Sequence, residues 1–181
     1  TMGTYEYALS NSGSSARAGF DIIFENAFRR VSIGRRTRTS DVATAFVDIG
    51  FTLNTWHNIA FTYKDSTRTL KVYMDSVLQS TTIGSASTNS ASLNLTIGSY
   101  QGTSNHLVGT IDEVSVFNSE LSASDVSTIY GTGVPNDISS ISGLVSWWRF
   151  EGTGTTATDS GSGGNDGVLD NTVVRSTDVP T

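Results

Sequence analysis

The sequence has no cysteine and only two prolines among its 181 residues, and acidic side chains outnumber basic ones. Without cysteine there is no disulfide, no thiolate metal site and no cysteine nucleophile. A formal net charge of −6 argues against general nucleic-acid binding, which requires basic side chains opposite the phosphates. No apolar run approaches the ~20 residues that a membrane-spanning helix needs. We therefore expect neither a nucleic-acid partner nor a membrane span.

Serine, threonine and glycine dominate the sequence, while lysine occurs only at positions 64 and 71. Threonine is well tolerated in strands and glycine in turns, so this composition is typical of a β-rich domain. Such compositions are common in extracellular and virion-surface proteins, and we expect one of these two locations.

Two alternating runs, residues 56–63 and 70–75, contain many aromatic and β-branched side chains. The six residues between them, 64–69, are polar and turn-like. This pattern predicts an antiparallel hairpin. Because strand side chains alternate, Leu70, Val72 and Met74 share one face, which we expect to lie in the core.

Short alternating runs separated by loops of glycine, serine and asparagine make up most of the remaining chain. The longest predicted strand covers residues 107–118. One helix is predicted near 122–130, because Ser122 and Asp125 have capping-box spacing and Gly131 suits the position after the helix end. The fold class is therefore all-β with one short helix.

The order of these segments resembles the laminin-G-like jelly roll of the concanavalin-A-like lectin/glucanase fold. The resemblance covers about residues 50–130 and rests on Trp56–Tyr63, Val72–Asp75, Leu95–Gly98, Gly109–Asn118 and Leu121–Val126. It implies a two-sheet antiparallel jelly-roll sandwich.

The C-terminal part also resembles this family, but it resembles the beginning of the domain. The similar segments are Gly143–Gly154 and Asp159–Leu169. We therefore divide the chain into a jelly-roll body (1–131), a linker (132–142) and a first-strand-like segment (143–181). That segment completes the same jelly roll, completes the jelly roll of a neighbouring subunit by strand addition, or belongs to the next domain of a tandem array.

The glucanases of this fold resemble one another in a strand with the pattern Glu-x-Asp-x-x-Glu, which this chain lacks. Asp112 and Glu113 are adjacent, so a strand would point them to opposite faces. Retaining glycosidases need two carboxylates about 5 Å apart across the scissile bond. We therefore predict that the protein is not an enzyme.

Calcium is the one metal that the sequence suggests, because hard cations bind oxygen ligands on loops. The candidate ligands are Asp112, Asp159, Asn165 and Asp166. Many laminin-G-like domains bind calcium, so the resemblance allows such a site. The alternative is a turn in which Asp159 and Asn165 bond to backbone amides.

Three aromatic side chains are candidates for contact with a glycan or a partner. Trp147 and Trp148 are adjacent, so one should enter the core while the other faces outward or covers the other side of the sandwich. Tyr100 borders the polar loop 101–105.

A local basic cluster stands out in this acidic chain. Its members are Arg29, Arg30, Arg35, Arg36 and Arg38. The cluster is explained either by charge that protects a strand edge from pairing or by contact with an anionic glycan or an acidic protein.

Two functions remain, and both are non-enzymatic. The first is a surface module for assembly or adhesion, such as a capsid-decoration or tail component of a virion or an adhesin domain. We then expect an oligomeric or particle-bound protein whose partners are subunits of a larger assembly. The alternative is a lectin-like carbohydrate-binding module of an extracellular protein.

Overall fold

The structure is a computed structural model. It describes residues 5–11, 19–25, 30–36, 41–48, 54–84, 94–170 and 173–180, and of residues 35, 36 and 41–48 only the backbone. The chain divides into two compact units, Thr1–Gly109 and Thr110–Thr181.

The first unit contains two antiparallel sheets. In chain order, its described strands are β1 (Tyr5–Ser10), β2 (Gly19–Glu25), β3 (Arg30–Arg36), β4 (Asp41–Asp48), β5 (Ile59–Lys64), β6 (Thr69–Met74), β7 (Val77–Ile83) and β8 (Thr96–Ile97). One sheet has the order β4-β3-β2-β1-β8 and the other has the order β5-β6-β7.

The core of this unit lies between the two sheets. Val31 and Ile33 of β3 pack with Leu70 and Val72 of β6, and all four are almost completely buried. Further side chains that pack on this cluster are Ile22, Phe24, Ile59, Phe61, Tyr63 and Met74. Burial of one such aliphatic side chain contributes about 1.5–3 kcal/mol. The predicted hairpin of β5 and β6 is confirmed, and so is its core face.

The described residues of the second unit form one α-helix, which continues into a short 3-10 turn at Gly131–Gly133, and short strands. These elements are β9 (Val114–Phe117), α1 (Ala123–Tyr130), β10 (Leu144–Trp148), β11 (Thr156–Ala157) and β12 (Gly167–Val168). Strand β10 pairs antiparallel with β9, and β11 pairs with β12. The first-strand-like segment thus pairs with a strand of its own chain.

Helix α1 begins and ends at the predicted residues. The Ser122 hydroxyl accepts a hydrogen bond from the Asp125 amide, while the Asp125 carboxylate accepts one from the Ser122 amide. Gly131 ends the helix with a φ of 56°, a left-handed conformation that glycine adopts readily. The prediction of a mostly antiparallel β fold with one short helix is therefore confirmed.

Two predicted segments differ from the structure. The long strand at 107–118 is reduced to β9, because Glu113 has a φ of 54° and interrupts the extended backbone. Residues 132–142 were predicted to be a linker but are folded. Ile138 is buried, and the Asn136 side-chain amide donates to the Thr128 carbonyl of α1 at 2.7 Å.

None of the helices in the described residues is long and apolar enough to cross a membrane.

Candidate functional site

A closed loop follows strand β8 and carries Tyr100. We call residues 98–107 the Tyr100 loop. The Tyr100 amide donates to the Ser104 carbonyl at 2.8 Å, and the Leu107 amide donates to the Gly98 carbonyl at 2.8 Å. These bonds close the loop at its tip and at its base.

The Tyr100 loop is fastened to strand β1 by the backbone. The Tyr7 amide donates to the Asn105 carbonyl at 3.1 Å, and the Gly98 amide donates to the Ala8 carbonyl at 2.9 Å. The sequence places these two segments about 90 residues apart, and only the fold brings them together.

Three tyrosines gather where the loop meets β1. The rings of Tyr7 and Tyr100 lie 4.9 Å apart with their planes tilted by 47°. Tyr5 lies two residues before Tyr7 on the same face of β1 and is 46% exposed, while the other two are half-buried. We call these three residues the tyrosine surface. Its rings offer an apolar face and a hydroxyl to a ligand.

Exposed uncharged side chains border the tyrosine surface. They are Gln101, Thr103, Ser104, Asn105 and His106. Amides and hydroxyls of this kind both donate and accept hydrogen bonds. The sequence predicted Tyr100 as a contact residue but missed Tyr5 and Tyr7, although their spacing of two on a strand was a readable signal.

The two adjacent tryptophans are both buried, which agrees with the alternative that the second one covers another part of the fold rather than facing outward. Trp147 is 5% exposed and Trp148 is 7% exposed. The Trp147 Nε1 donates to the Glu113 Oε2 at 2.5 Å, and the Trp148 Nε1 donates to the Asn165 carbonyl at 2.8 Å. The protein itself therefore shields both rings from solvent, one on each face of β10.

The carboxylates of Asp112 and Glu113 lie in a half-buried environment. Burial raises the pKa of both groups above their ordinary values. The Arg149 Nε lies 3.6 Å from the Glu113 Oε1, and the guanidinium carbon lies 4.9 Å from the centre of the Trp147 ring. Raised carboxyl pKa values occur in acid catalysts, but here Glu113 holds the indole of β10 and so fastens this strand.

The predicted calcium ligands are engaged in backbone hydrogen bonds. The Asp159 carboxylate accepts bonds from the amides of Trp147, Gly161 and Asn165, each at 2.8 Å. The Asp166 carboxylate accepts the Asp159 amide at 2.8 Å. Burial alone would raise the pKa of Asp159, but these amide bonds together hold it below its ordinary value.

No group of three or more histidine or acidic side chains able to hold a metal occurs in the described parts of the chain. Asp112, Asp159 and Asp166 therefore do not come together as one such group. The contacts of Asp159 and Asp166 agree with the alternative of a hydrogen-bonded turn. Calcium binding stays a prediction.

The arginine cluster is described in part. Arg30 forms an ion pair with Glu25, with 2.7 Å between the guanidinium nitrogen and the carboxylate oxygen. Arg35 and Arg36 lie at the end of β3. Arg29 and Arg38 lie outside the described residues, so anionic contact by this cluster stays a prediction.

Comparison with known proteins identifies a family. Residues 3–127 match a laminin-G-like model described as the concanavalin A-like lectin/glucanases superfamily. No curated protein matches the chain.

One similar solved structure is described as "a putative carbohydrate binding protein from Bacteroides ovatus". The TM-score is 0.60 at 14% sequence identity, and the match covers 92% of this chain and 53% of that chain. This chain thus spans about half the length of that protein, and at this identity the likeness shows a common fold alone. The family match covers more than half of the sequence, and the chain belongs to the concanavalin A-like lectin/glucanase superfamily.

Proposed function

We propose that this protein is a non-enzymatic carbohydrate-binding module and that the tyrosine surface binds the sugar. The observation that carries the proposal is the pair of half-buried rings of Tyr7 and Tyr100, 4.9 Å apart and bordered by exposed amides and hydroxyls. The other aromatic candidates from the sequence, Trp147 and Trp148, are buried and engaged within the fold.

The chemistry of this surface suits a sugar ring. A pyranose has a face of C–H groups, which packs on an aromatic ring, and a rim of hydroxyls, which need hydrogen-bond partners. Because hydrogen bonds hold the Tyr100 loop in place before any ligand arrives, little ordering is required on binding.

The comparisons support the same proposal. The superfamily includes lectins as well as glucanases, and the similar solved structure carries a carbohydrate-binding description. Neither comparison supports assembly or adhesion, the first of the two functions that the sequence suggests. A surface glycan as partner and an extracellular or surface location accord with this role, and both are parts of the proposal.

A missing sequence pattern and the hydrogen bonds of two carboxylates favour binding over hydrolysis. The chain lacks the Glu-x-Asp-x-x-Glu pattern. Glu113 is bonded to the Trp147 indole, and Asp112 accepts the Glu113 amide at 3.0 Å. A retaining glycosidase instead needs two carboxylates facing one another across the scissile bond.

The test is a glycan array followed by calorimetry on the full chain and its variants. We expect Tyr100→Ala to weaken binding of the best ligand about tenfold, since loss of an aromatic contact of ~1.4 kcal/mol has that effect. Tyr100→Phe, which keeps the ring, should bind within about threefold of the original. Incubation with the ligand should release no new reducing ends.

The matched control is Tyr130→Ala, which removes a partly buried tyrosine of α1 in the second unit. It should bind like the original protein. Melting curves of every variant separate loss of binding from loss of folding. Absence of any ligand on a broad array, or equal binding by Tyr100→Ala, would contradict the proposal. Each titration is repeated with calcium and with a chelator to test the predicted metal.

A further inference from the structure

We infer that the tyrosine surface recognises neutral glycans and discriminates against sulfated and carboxylated ones. The inference rests on the proposed function and adds the class of ligand. The whole stretch from Ser76 to Ile111 contains no aspartate, glutamate, lysine or arginine, in a chain with 28 such residues elsewhere (11 basic and 17 acidic). His106 is the one histidine within it.

This uncharged stretch supplies one side of the proposed site. It includes strands β7 and β8 and the entire Tyr100 loop. The side chains that the loop exposes beside Tyr100 are amides, hydroxyls and the imidazole of His106. A ligand lying on Tyr100 therefore meets hydrogen-bonding groups and no lysine or arginine from this loop.

Two charged groups on β1 and β2 lie near the tyrosines, and both have partners within the protein. Glu6 is buried, and its carboxylate accepts the Val108 amide at 3.1 Å. Glu25, which pairs in register with Tyr5, is in contact with Arg30 at 2.7 Å. These groups are bound to the protein itself.

The energetic consequence is selectivity by charge. A carboxylate or sulfate placed against this surface loses hydration, and the loop supplies no lysine or arginine in return. Neutral hydroxyls exchange bonds with water for bonds with amides and hydroxyls at little cost. The net charge of −6 adds a weaker, salt-dependent repulsion of anionic chains.

The competing possibility is the arginine cluster at residues 29–38, which would favour anionic glycans. The two possibilities differ in ligand class and in salt dependence. Binding of a neutral sugar hardly responds to ionic strength, whereas binding of an anionic chain by arginines weakens as salt screens the charges.

The experiment titrates the full chain with matched neutral and acidic oligosaccharides. The neutral series is made of hexose and pentose oligomers, and the acidic series is made of oligogalacturonates and heparin fragments of equal length. We expect neutral ligands to bind at least tenfold more tightly than acidic ones. Their dissociation constants should change less than about twofold between about 50 mM and about 500 mM NaCl.

A charge-insertion variant tests the position of the site. Thr103 is exposed on the Tyr100 loop. Thr103→Lys should shift the preference toward acidic ligands about three- to fivefold, as one added exposed charge pair of up to ~1 kcal/mol predicts, while the uncharged control Thr103→Gln should not. An unchanged preference in Thr103→Lys would overturn the inference that this loop selects the ligand.

The outcomes separate this inference from the proposed function. Tighter binding of acidic ligands, or binding that weakens steeply with salt, would overturn the neutral class and leave carbohydrate binding intact. Failure of both series to bind would overturn the proposed function and the inference together.

Discussion

Glu113 combines an unusual backbone conformation with several side-chain contacts in the second unit. Its backbone has a φ of 54°, its carboxylate accepts the Trp147 indole N–H, and its Oε1 lies 3.6 Å from the Arg149 Nε. Left-handed backbone is uncommon for a residue with a side chain and costs of order 1 kcal/mol. The contacts of the side chain hold the residue in this conformation, and they join the turn before β9 to strand β10.

The raised pKa of Glu113 predicts a pH-dependent stability. Because the folded protein binds the proton more tightly than the unfolded chain, this stabilisation is complete below the ordinary value of 4.5 and is lost as pH rises through the folded pKa. Glu113→Gln cannot ionise and keeps an acceptor for the indole. We therefore expect a higher melting temperature than the original at pH 7 and a similar one near pH 4.

The measurement is thermal melting, monitored by tryptophan fluorescence. A Trp56→Phe background leaves Trp147 and Trp148 as the reporters. Glu113→Ala serves as the comparison, because it leaves the buried indole N–H without its acceptor and should lose about 1–3 kcal/mol at both pH values. The lowered pKa of Asp159 acts in the opposite sense but is common to all three proteins. A Glu113→Gln variant less stable than the original at pH 7 would refute the prediction.

The adjacent tryptophans show how far residue-level reasoning reaches. Alternation along a strand correctly predicts that Trp147 and Trp148 point to opposite sides. It cannot predict that both sides are covered. One indole meets Glu113 of the turn before β9, and the other donates to the carbonyl of Asn165 in a loop that follows β10.

At the scale of elements, the hairpin of β5 and β6 and the capped helix α1 were predictable because their signals are local. Alternation sets the hairpin faces, and the pair Ser122 and Asp125 sets the start of the helix. Strand β10 was also predictable as a strand. The sequence left open whether its partner lies in the same chain or in a neighbouring one, because pairing depends on long-range contacts.

The pairing of β10 with β9 predicts a disulfide within one chain. Ser146 lies opposite Val116 in the register, and opposite residues of antiparallel strands are close enough to be bridged. In the double variant Val116→Cys with Ser146→Cys, oxidation should give cross-linked monomers that are stabilised by about 2–4 kcal/mol. The absence of native cysteine makes the result unambiguous.

Non-reducing electrophoresis and peptide mass spectrometry identify the product. Disulfide-linked dimers that appear at the same rate would show exchange of β10 between copies, which is the strand-addition alternative. Each single-cysteine variant controls for random coupling of one thiol.

At the scale of the whole molecule, the carbohydrate-binding proposal and an assembly function predict different masses. A binding module of this size needs no second copy, since its proposed site lies within the first unit. We expect light scattering at increasing concentration to report a monomer of 19.2 kDa. A stable oligomer would favour assembly, the other function that the sequence suggests.

The sequence by itself determined the fold class, the family resemblance, the main hairpin and the position of the helix. These properties depend on periodicity and on the order of segments, which are local and additive along the chain. The uncharged stretch from Ser76 to Ile111 and the lack of cysteine are also read directly from the sequence. Both limit the chemistry that these 181 residues can perform.

Only the tertiary structure decided which aromatic residues are available to a ligand. Tyr100 joins Tyr5 and Tyr7 because backbone bonds fasten its loop to β1, whereas Trp147 and Trp148 are closed in by Glu113 and by the loop around Asn165. Exposure depends on every segment that packs against a side chain. It is therefore a property of the folded chain as a whole, which the pattern around any one residue does not contain.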